Sequence, residues 1–251
     1  MSTVEFSVVV PVKNEEESVA ELAREVAGVL AGVNRTWECI WVNDGSTDGT
    51  LAVLLKLAAA HPGFRILDLD RNYGQSAALA AGFAAVRGNV IGTLDGDGQN
   101  DPHDFPALLA RLDKGDVDMV NGVRVTRRDT AVRRLSSRIA NGVRNAFLHD
   151  GVTDTGCAIR VFRRACVERI VVFKGTHRFL PALAKMRGFR ITELPVNHRS
   201  RTKGVTKYGV GNRLWVGLAD LFAACWMRRR LVYPVVRAEL PAPPSPPGNT
   251  A

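Results

Sequence analysis

"VEFSVVVPVKNEEESVAELAREVAGVLAG", residues 4–32, contains two periodicities in succession. Residues 4–12 form a short apolar run rich in valine, the signature of a strand buried on both faces. From Glu15 the spacing changes. Val19, Leu22, Val26 and Leu30 recur at helical intervals, and acids crowd the first turn, where the helix dipole favours them. The same alternation continues along the chain. "WECIWV" (37–42) is expected as a strand and "TLAVLLKLAAA" (50–60) as a helix. "FRILDL" (64–69) is a strand followed by helical "QSAALAAGFAAV" (75–86). "NVIGTL" (89–94) precedes a helix from about Asp104 to Lys114, and "DMVNG" (118–122) makes a fifth strand. Strands alternating with helices predict an α/β fold, built from right-handed βαβ units around a mainly parallel sheet. In such sheets ligands bind outside the carboxyl ends of the strands.

The strand ends therefore carry the functional information. The first strand ends in "PVKNEEES", the second in "VNDGSTDGT" and the fourth in "LDGDGQNDP". All three are acidic or amide-rich, and all should open on one edge. "DGSTDGT" also reads as a turn and helix cap, since Ser, Thr and Asp satisfy free N–H groups. Around the fourth strand end, residues 93–104 hold four aspartates in a chain of net charge +9. Gly96 and Gly98 allow a tight turn around Asp95 and Asp97. Two carboxylates one residue apart can address one cation. With no His or Cys beside them in sequence the donor set is oxygen, which suits Mg²⁺ or Mn²⁺ rather than Zn²⁺. Mg²⁺ on one or two carboxylates usually completes its shell with substrate phosphates, so the pair implies a nucleoside diphosphate.

Composition narrows the class further. A chain of 251 residues, 46% hydrophobic and 24% charged, suits a soluble globular protein. Cys39, Cys157, Cys166 and Cys225 show no zinc spacing and are expected as reduced thiols of a cytoplasmic protein. The N-terminus lacks the basic start and long apolar region of a signal peptide. Charge is divided unevenly: residues 1–121 contain 9 Lys+Arg and 18 Asp+Glu, whereas residues 122–251 contain 25 and 7. In the basic half, a helix through residues 124–147 would align Val132, Leu135, Ile139, Val143 and Phe147, flanked by seven arginines. A second helix over 213–230 carries Leu214, Trp215, Leu218, Leu221, Phe222, Trp226 and Met227, and ends on Arg228–Arg230. It is too short for a span of ~20 apolar residues. Such amphipathic helices suit an anionic membrane surface, and packing on the domain is the alternative. A nucleic-acid binder would explain the charge but not the acidic strand ends, and no RNA-module stacking motif is present. The "LPAPPSPPGNTA" end (240–251) is expected to be disordered.

"VVVPVKNEEES", "VNDGSTDGT", "RNYGQSAALAAG" and "LDGDGQNDP", in that order, resemble glycosyltransferase family two. "NGVR" (121–124), "TDTGCAIRVFRR" (153–164) and "RSRTKGVTKYG" (199–209) resemble its polyprenyl-phosphate branch, which includes dolichyl-phosphate mannose synthase and undecaprenyl-phosphate sugar transferases. The resemblance covers roughly residues 4–228. It implies a GT-A fold, Rossmann-like, with C-terminal amphipathic helices. Residues 1–228 form the glycosyltransferase domain, with a nucleotide-binding part (1–121) and an acceptor- and membrane-facing part (122–228), followed by a tail (229–251). It implies nucleotide contacts at Pro11, Lys13 and Glu15, and base and ribose contacts at Val42 and Asp44. Asp95, Gly96 and Asp97 match the metal-binding D-x-D, with Gln99 at the usual distance. Arg124 matches a substrate-binding arginine. Arg201 and Lys207 match a basic pair closing over the diphosphate. Cys157 departs from the mannose synthase pattern. The implied reaction is inverting transfer of a hexose-type sugar from a nucleoside-diphosphate sugar to a polyprenyl phosphate. The enzyme would be peripheral on the cytoplasmic face of the inner membrane, and a homo-oligomer is compatible with this. The alternative is a soluble family-two enzyme acting on another envelope glycan or lipid. Asp154 is either a further site residue or a turn residue. His149, His177 and His198 are expected on the surface or in packing.

Overall fold

The computed structural model describes residues 3–124, 142, 144–148, 151–199 and 213–232, with the backbone alone for 213–218. The strands are β1 (Phe6–Val12), β2 (Trp37–Asn43), β3 (Phe64–Asp68), β4 (Val90–Thr93), β5 (Met119–Arg124), β6 (Arg160–Arg163) and β7 (Ile191–Val196). The helices are α1 (Val19–Ala31), α2 (Thr50–Ala60), α3 (Gln75–Ala85), α4 (Phe105–Asp113), α5 (Thr176–Met186) and α6 (Arg213–Arg230). The strands join in one sheet, in the order β3-β2-β1-β4-β6-β5-β7.

Every residue of β1 is buried, as its unbroken apolar run requires of a central strand covered on both faces. It pairs in parallel with β2 and β4, in registers that set Pro11 opposite Val42 and Val9 opposite Thr93. Side chains alternate across the sheet. Phe6, Val8, Val10 and Val12 meet Leu22, Val26 and Leu30 of α1 and Leu108 and Leu112 of α4 in one apolar layer. Val9, Ile40, Val42 and Ile91 meet Leu79 of α3 and Leu180 of α5 in the other. The four α1 residues expected on one face are all buried.

Two strands escape the periodicity reading. β6 has four residues, "RVFR", and runs antiparallel between β4 and β5. β7 lies at the sheet edge and contains Pro195, which an edge strand tolerates because one side of its hydrogen-bonding ladder is unused. The insertion of β6 has a geometric consequence. Because it runs against its neighbours, its first residue, Arg160, lies level with Thr93 of β4 and Asn121 of β5, near the carboxyl edge where the parallel strands end.

A third apolar cluster joins α5 to α6 through Phe179, Leu183, Leu221, Ala224 and Met227, with Leu148 alongside. Among the described residues no helix is long and apolar enough to cross a membrane. α6 continues to Arg230, two residues past the domain boundary expected at 228. Most of the arginine-rich helix expected through 124–147 falls outside the described residues, although 144–148 are helical. Arg201, Lys207, His149 and the Pro-rich end also lie outside them.

Candidate active site

The three acidic strand ends do open on one edge, and their loops are knitted together. Asn14, in the left-handed region at φ 50°, accepts from the Thr47 N–H at 2.8 Å, and its own N–H donates to the Ser46 hydroxyl at 2.9 Å. The Glu16 carboxylate accepts from the Gly49 N–H at 2.9 Å. Glu15 is buried and accepts from the Ser18 hydroxyl at 2.9 Å. The turn reading of "DGSTDGT" is thus correct for Asp48, which accepts from the Thr50 N–H and hydroxyl.

Asp44 is buried and takes the N–H groups of Tyr73 and Gly74 at 2.7 and 2.9 Å, fastening the loop before α3. The side chain of Val42 is wholly buried in the core. Alternation along β2 points it into the apolar layer, so a base contact at this position would come from the backbone. Pro11 is likewise buried, whereas Lys13 is half-buried on the loop.

At the end of β4, Asp95, Gly96 and Asp97 turn against β1. A Cβ at Gly96 would meet Val12 Cγ1 at 2.5 Å and the Pro11 carbonyl oxygen at 2.9 Å, so only glycine fits there. Gly98 has φ +71°, the left-handed region that glycine adopts at no steric cost. The Gln75 amide donates to Asp95 Oδ1 at 2.6 Å. Asp97 Oδ1 accepts from the Gln99 N–H at 3.1 Å. Among the described residues the second oxygen of each aspartate has no hydrogen-bond donor. The Asp95 carboxyl is pushed up to about 7, first by burial and then by the Asp97 charge, against the pull of Arg160, Arg124 and the Gln75 hydrogen bond. Two crowded acids with spare oxygens are a ready seat for a cation. Among the described residues no group of three or more His, Cys, Asp or Glu could hold a metal. The pair alone falls short of a protein-only metal site, and a hard ion held there would complete its shell with phosphate and water.

A cleft of about 250 Å³ opens beside Asp95, walled by Gln75, Arg124, Cys157, Arg160 and His177. Arg124 forks onto Asp154, with Nε and a terminal nitrogen each 2.8 Å from a carboxylate oxygen. Asp154 is itself buried, and it also accepts from the Gly156 N–H at 3.2 Å. The turn reading of Asp154 therefore holds, and the same carboxylate orients Arg124. Glu193 of β7 holds that turn from the far side, accepting from the Thr153 N–H at 2.9 Å and hydroxyl at 2.6 Å. Burial raises the Cys157 thiol to about 11, so it stays protonated and unreactive at neutral pH. All four cysteines are unpaired.

His177 packs on Ser76, as its packing reading allows, and it also lines the cleft. It begins α5, with Nδ1 2.8 Å from the Ser76 hydroxyl. That hydroxyl oxygen already accepts the Gly175 N–H at 3.1 Å and the His177 N–H at 3.4 Å, which leaves its proton for Nδ1 and assigns the ring proton to Nε2. Burial and the charges of Arg178 and Arg160 pull the imidazole down to about 3, and it is neutral. Arg160 was also missed. Its signal lies in topology, the start of an antiparallel strand at the carboxyl edge, and a four-residue strand does not announce that in sequence.

The approach to Arg201 and Lys207 is anchored. The Arg199 N–H donates to the Gln99 carbonyl at 2.8 Å, and its guanidinium bonds Asp101 and Glu25, each at 2.7 Å. The Asn197 N–H donates to Asp104 at 2.8 Å. Residues 197–199 are thereby pinned to the segment that follows Asp97.

A family model, Glycosyl transferase family 2, matches residues 7–171. The dodecaprenyl-phosphate galacturonate synthase of Rhizobium johnstonii is 36% identical over 233 residues, covering 91% of this chain and 69% of that protein. The undecaprenyl-phosphate 4-deoxy-4-formamido-L-arabinose transferase of Edwardsiella ictaluri is 36% identical over 211 residues, covering 83% and 64%. The chain thus spans about two-thirds of the length of these curated relatives. Among solved structures, glucosyl-3-phosphoglycerate synthase from Mycobacterium tuberculosis, in complex with Mn²⁺, UDP and glucosyl-3-phosphoglycerate, superposes with a TM-score of 0.67. It is 18% identical, with 90% of this chain and 80% of that one covered, a likeness of fold. The sheet order, the D-x-D at the end of β4 and these matches agree: the chain has the GT-A fold and belongs to glycosyltransferase family 2, where its relatives are polyprenyl-phosphate sugar transferases.

Proposed function

We propose that the protein transfers a hexose-type sugar, with inversion, from a nucleoside-diphosphate sugar to a polyprenyl phosphate at the cytoplasmic face of the inner membrane. The observation that carries this reading is that Asp95, which feels the charge of Asp97, lines a cleft that also holds Arg124, Arg160 and Arg178. The names of the relatives, which move galacturonate and formamido-arabinose onto polyprenyl phosphates, support the acceptor class.

The donor nucleotide lies along the edge formed by Pro11, Lys13, Glu15, the Val42 backbone and Asp44. A Mg²⁺ or Mn²⁺ ion on the spare oxygens of Asp95 and Asp97 would neutralise the charge that grows on the departing diphosphate. Gln75 orients Asp95, and Gln99 fixes Asp97 through its N–H. Arg201 and Lys207, which come after the pinned segment 197–199 in sequence, would supply positive charge to the same diphosphate. Arg124, aimed by Asp154, binds substrate in the cleft. The acceptor phosphate is ionised at neutral pH, so the reaction needs no strong general base.

Residues 122–228 face the acceptor and the membrane. On α6, Leu221, Ala224 and Met227 pack inward, while Phe222 and Trp226 are 72% and 62% exposed, one turn apart and followed by Arg228–Arg230. Aromatic side chains beside arginines suit the interface of an anionic bilayer. The test is a donor screen with purified protein, undecaprenyl phosphate in detergent and a panel of UDP- and GDP-sugars. One lipid-linked sugar phosphate is expected; no lipid product from any donor would overturn the proposal.

A further inference from the structure

Arg160 is 3% exposed and has no carboxylate within ion-pairing distance among the described residues. Its two terminal nitrogens donate to backbone carbonyls, those of Cys157 and, at 3.1 Å, His177. Its buried Nε–H has no acceptor. The nearest acids, Asp95 and Asp154, act on it only through space. Asp154 is taken by the Arg124 fork, and the Asp95 oxygen with a recorded bond accepts from Gln75. Yet Arg160 lines the same cleft, together with the exposed Arg178. A buried guanidinium with no direct ion pair and an unsatisfied donor is among the costliest features a fold can keep. An arginine held rigid by carbonyls in the wall of a cleft is preorganised for an oxyanion.

We propose that Arg160 is the receptor for a substrate oxyanion other than the donor's diphosphate, either a carboxylate on the transferred sugar or the phosphate of the acceptor. This deepens the glycosyltransferase reading and rests on it for the identity of the substrate. The anion site itself rests on the geometry of Arg160. The cleft brings further donors to the same ligand: the neutral His177 with its proton on Nε2, and the Arg178 guanidinium on the next residue of α5.

The experiment is thermal melting of the full chain at constant pH and ionic strength, with chloride replaced by inorganic phosphate, by glucuronate, or supplemented with neutral glucose. Wild type should gain roughly 5–10 °C at about a hundred times the dissociation constant of the bound anion. A response to phosphate alone assigns the acceptor's phosphate, and a response to glucuronate alone assigns a sugar carboxylate. Arg160→Met should abolish the gain, and Arg160→Lys, which keeps the charge and loses the fork, should reduce it. A wild type indifferent to both anions, an equal gain with glucose, or a full gain in Arg160→Met would each overturn the proposal. If neither variant folds, amide exchange over residues 155–160 of the wild type decides: phosphate or glucuronate should slow it, and unchanged exchange refutes the site. UDP binding measured on the same samples reports separately on the glycosyltransferase reading. Its absence would count against that reading and leave the anion site to stand or fall on its own melting shift.

Discussion

Replacing Asp154 by alanine should destabilise the protein far more than a typical surface change. Its carboxylate receives both prongs of Arg124 at 2.8 Å and the Gly156 N–H at 3.2 Å. The acid side chain is 3% exposed and the arginine 21%. Removing one partner of a buried pair costs about 3–5 kcal/mol, because the other charge is left without compensation. Water reaching Arg124 from the cleft takes over part of that interaction, which lowers the expected cost to about 2–4 kcal/mol. For a domain of this size each kcal/mol moves the midpoint by roughly 2–4 °C, so the loss should be about 4–16 °C. Calorimetry and urea titration of Asp154→Ala, Arg124→Ala and the double variant measure it. The double variant should be more stable than the sum of the singles implies, with a coupling of about 1–3 kcal/mol. The effect should hardly change between low and high salt, since a buried pair is little screened. An Asp154→Ala protein within about 0.5 kcal/mol of wild type, or a coupling near zero, would refute the reasoning.

Gly96→Ala should cost about 1–3 kcal/mol through overpacking against Val12 and Pro11, and displace the carboxylates on either side; native stability with full turnover would contradict the tight fit. His177 is depressed to about 3 from an ordinary value of 6.5, so between those limits the unfolded chain binds a proton that the folded chain does not. Stability is therefore complete above pH 6.5 and falls as the pH drops toward 3. This one group should contribute a loss of at most about 2 kcal/mol between pH 7 and 5, less whatever its partial exposure allows. His177→Gln should flatten that part of the profile, and an unchanged slope would exclude the assignment. Phe222→Ser with Trp226→Ser should leave the melting point within about 1 °C, as both side chains are largely exposed, but release the protein from vesicles of anionic lipid. Undiminished co-sedimentation would move the membrane contact away from α6.

The elements built on long, regular patterns were legible in the sequence. The helix read over 50–60 is α2 to the residue, and α3 starts at Gln75 as expected, because small residues pack it closely on the sheet. The edge on which the acidic ends of β1, β2 and β4 gather followed from the βαβ alternation, whereas Arg124 came from the family resemblance. What escaped depends on contacts between distant segments. Arg160 reaches the cleft only because β6 inserts antiparallel between β4 and β5. His177 joins it through Ser76, 101 residues away. The Val42 side chain lies in the core, since strand alternation fixes which face it serves.

The central claim is that Asp95 and Asp97 act as a pair through a divalent cation. It is tested most directly by initial rates of lipid-linked sugar formation, titrated with Mn²⁺ and Mg²⁺ after EDTA treatment, for wild type and Asp97→Asn. The account predicts no product in EDTA, full recovery on adding metal to wild type, and a rate lower by about 10²–10³ or more in Asp97→Asn at saturating metal. Undiminished turnover in EDTA, or a near-normal rate in Asp97→Asn, would contradict it.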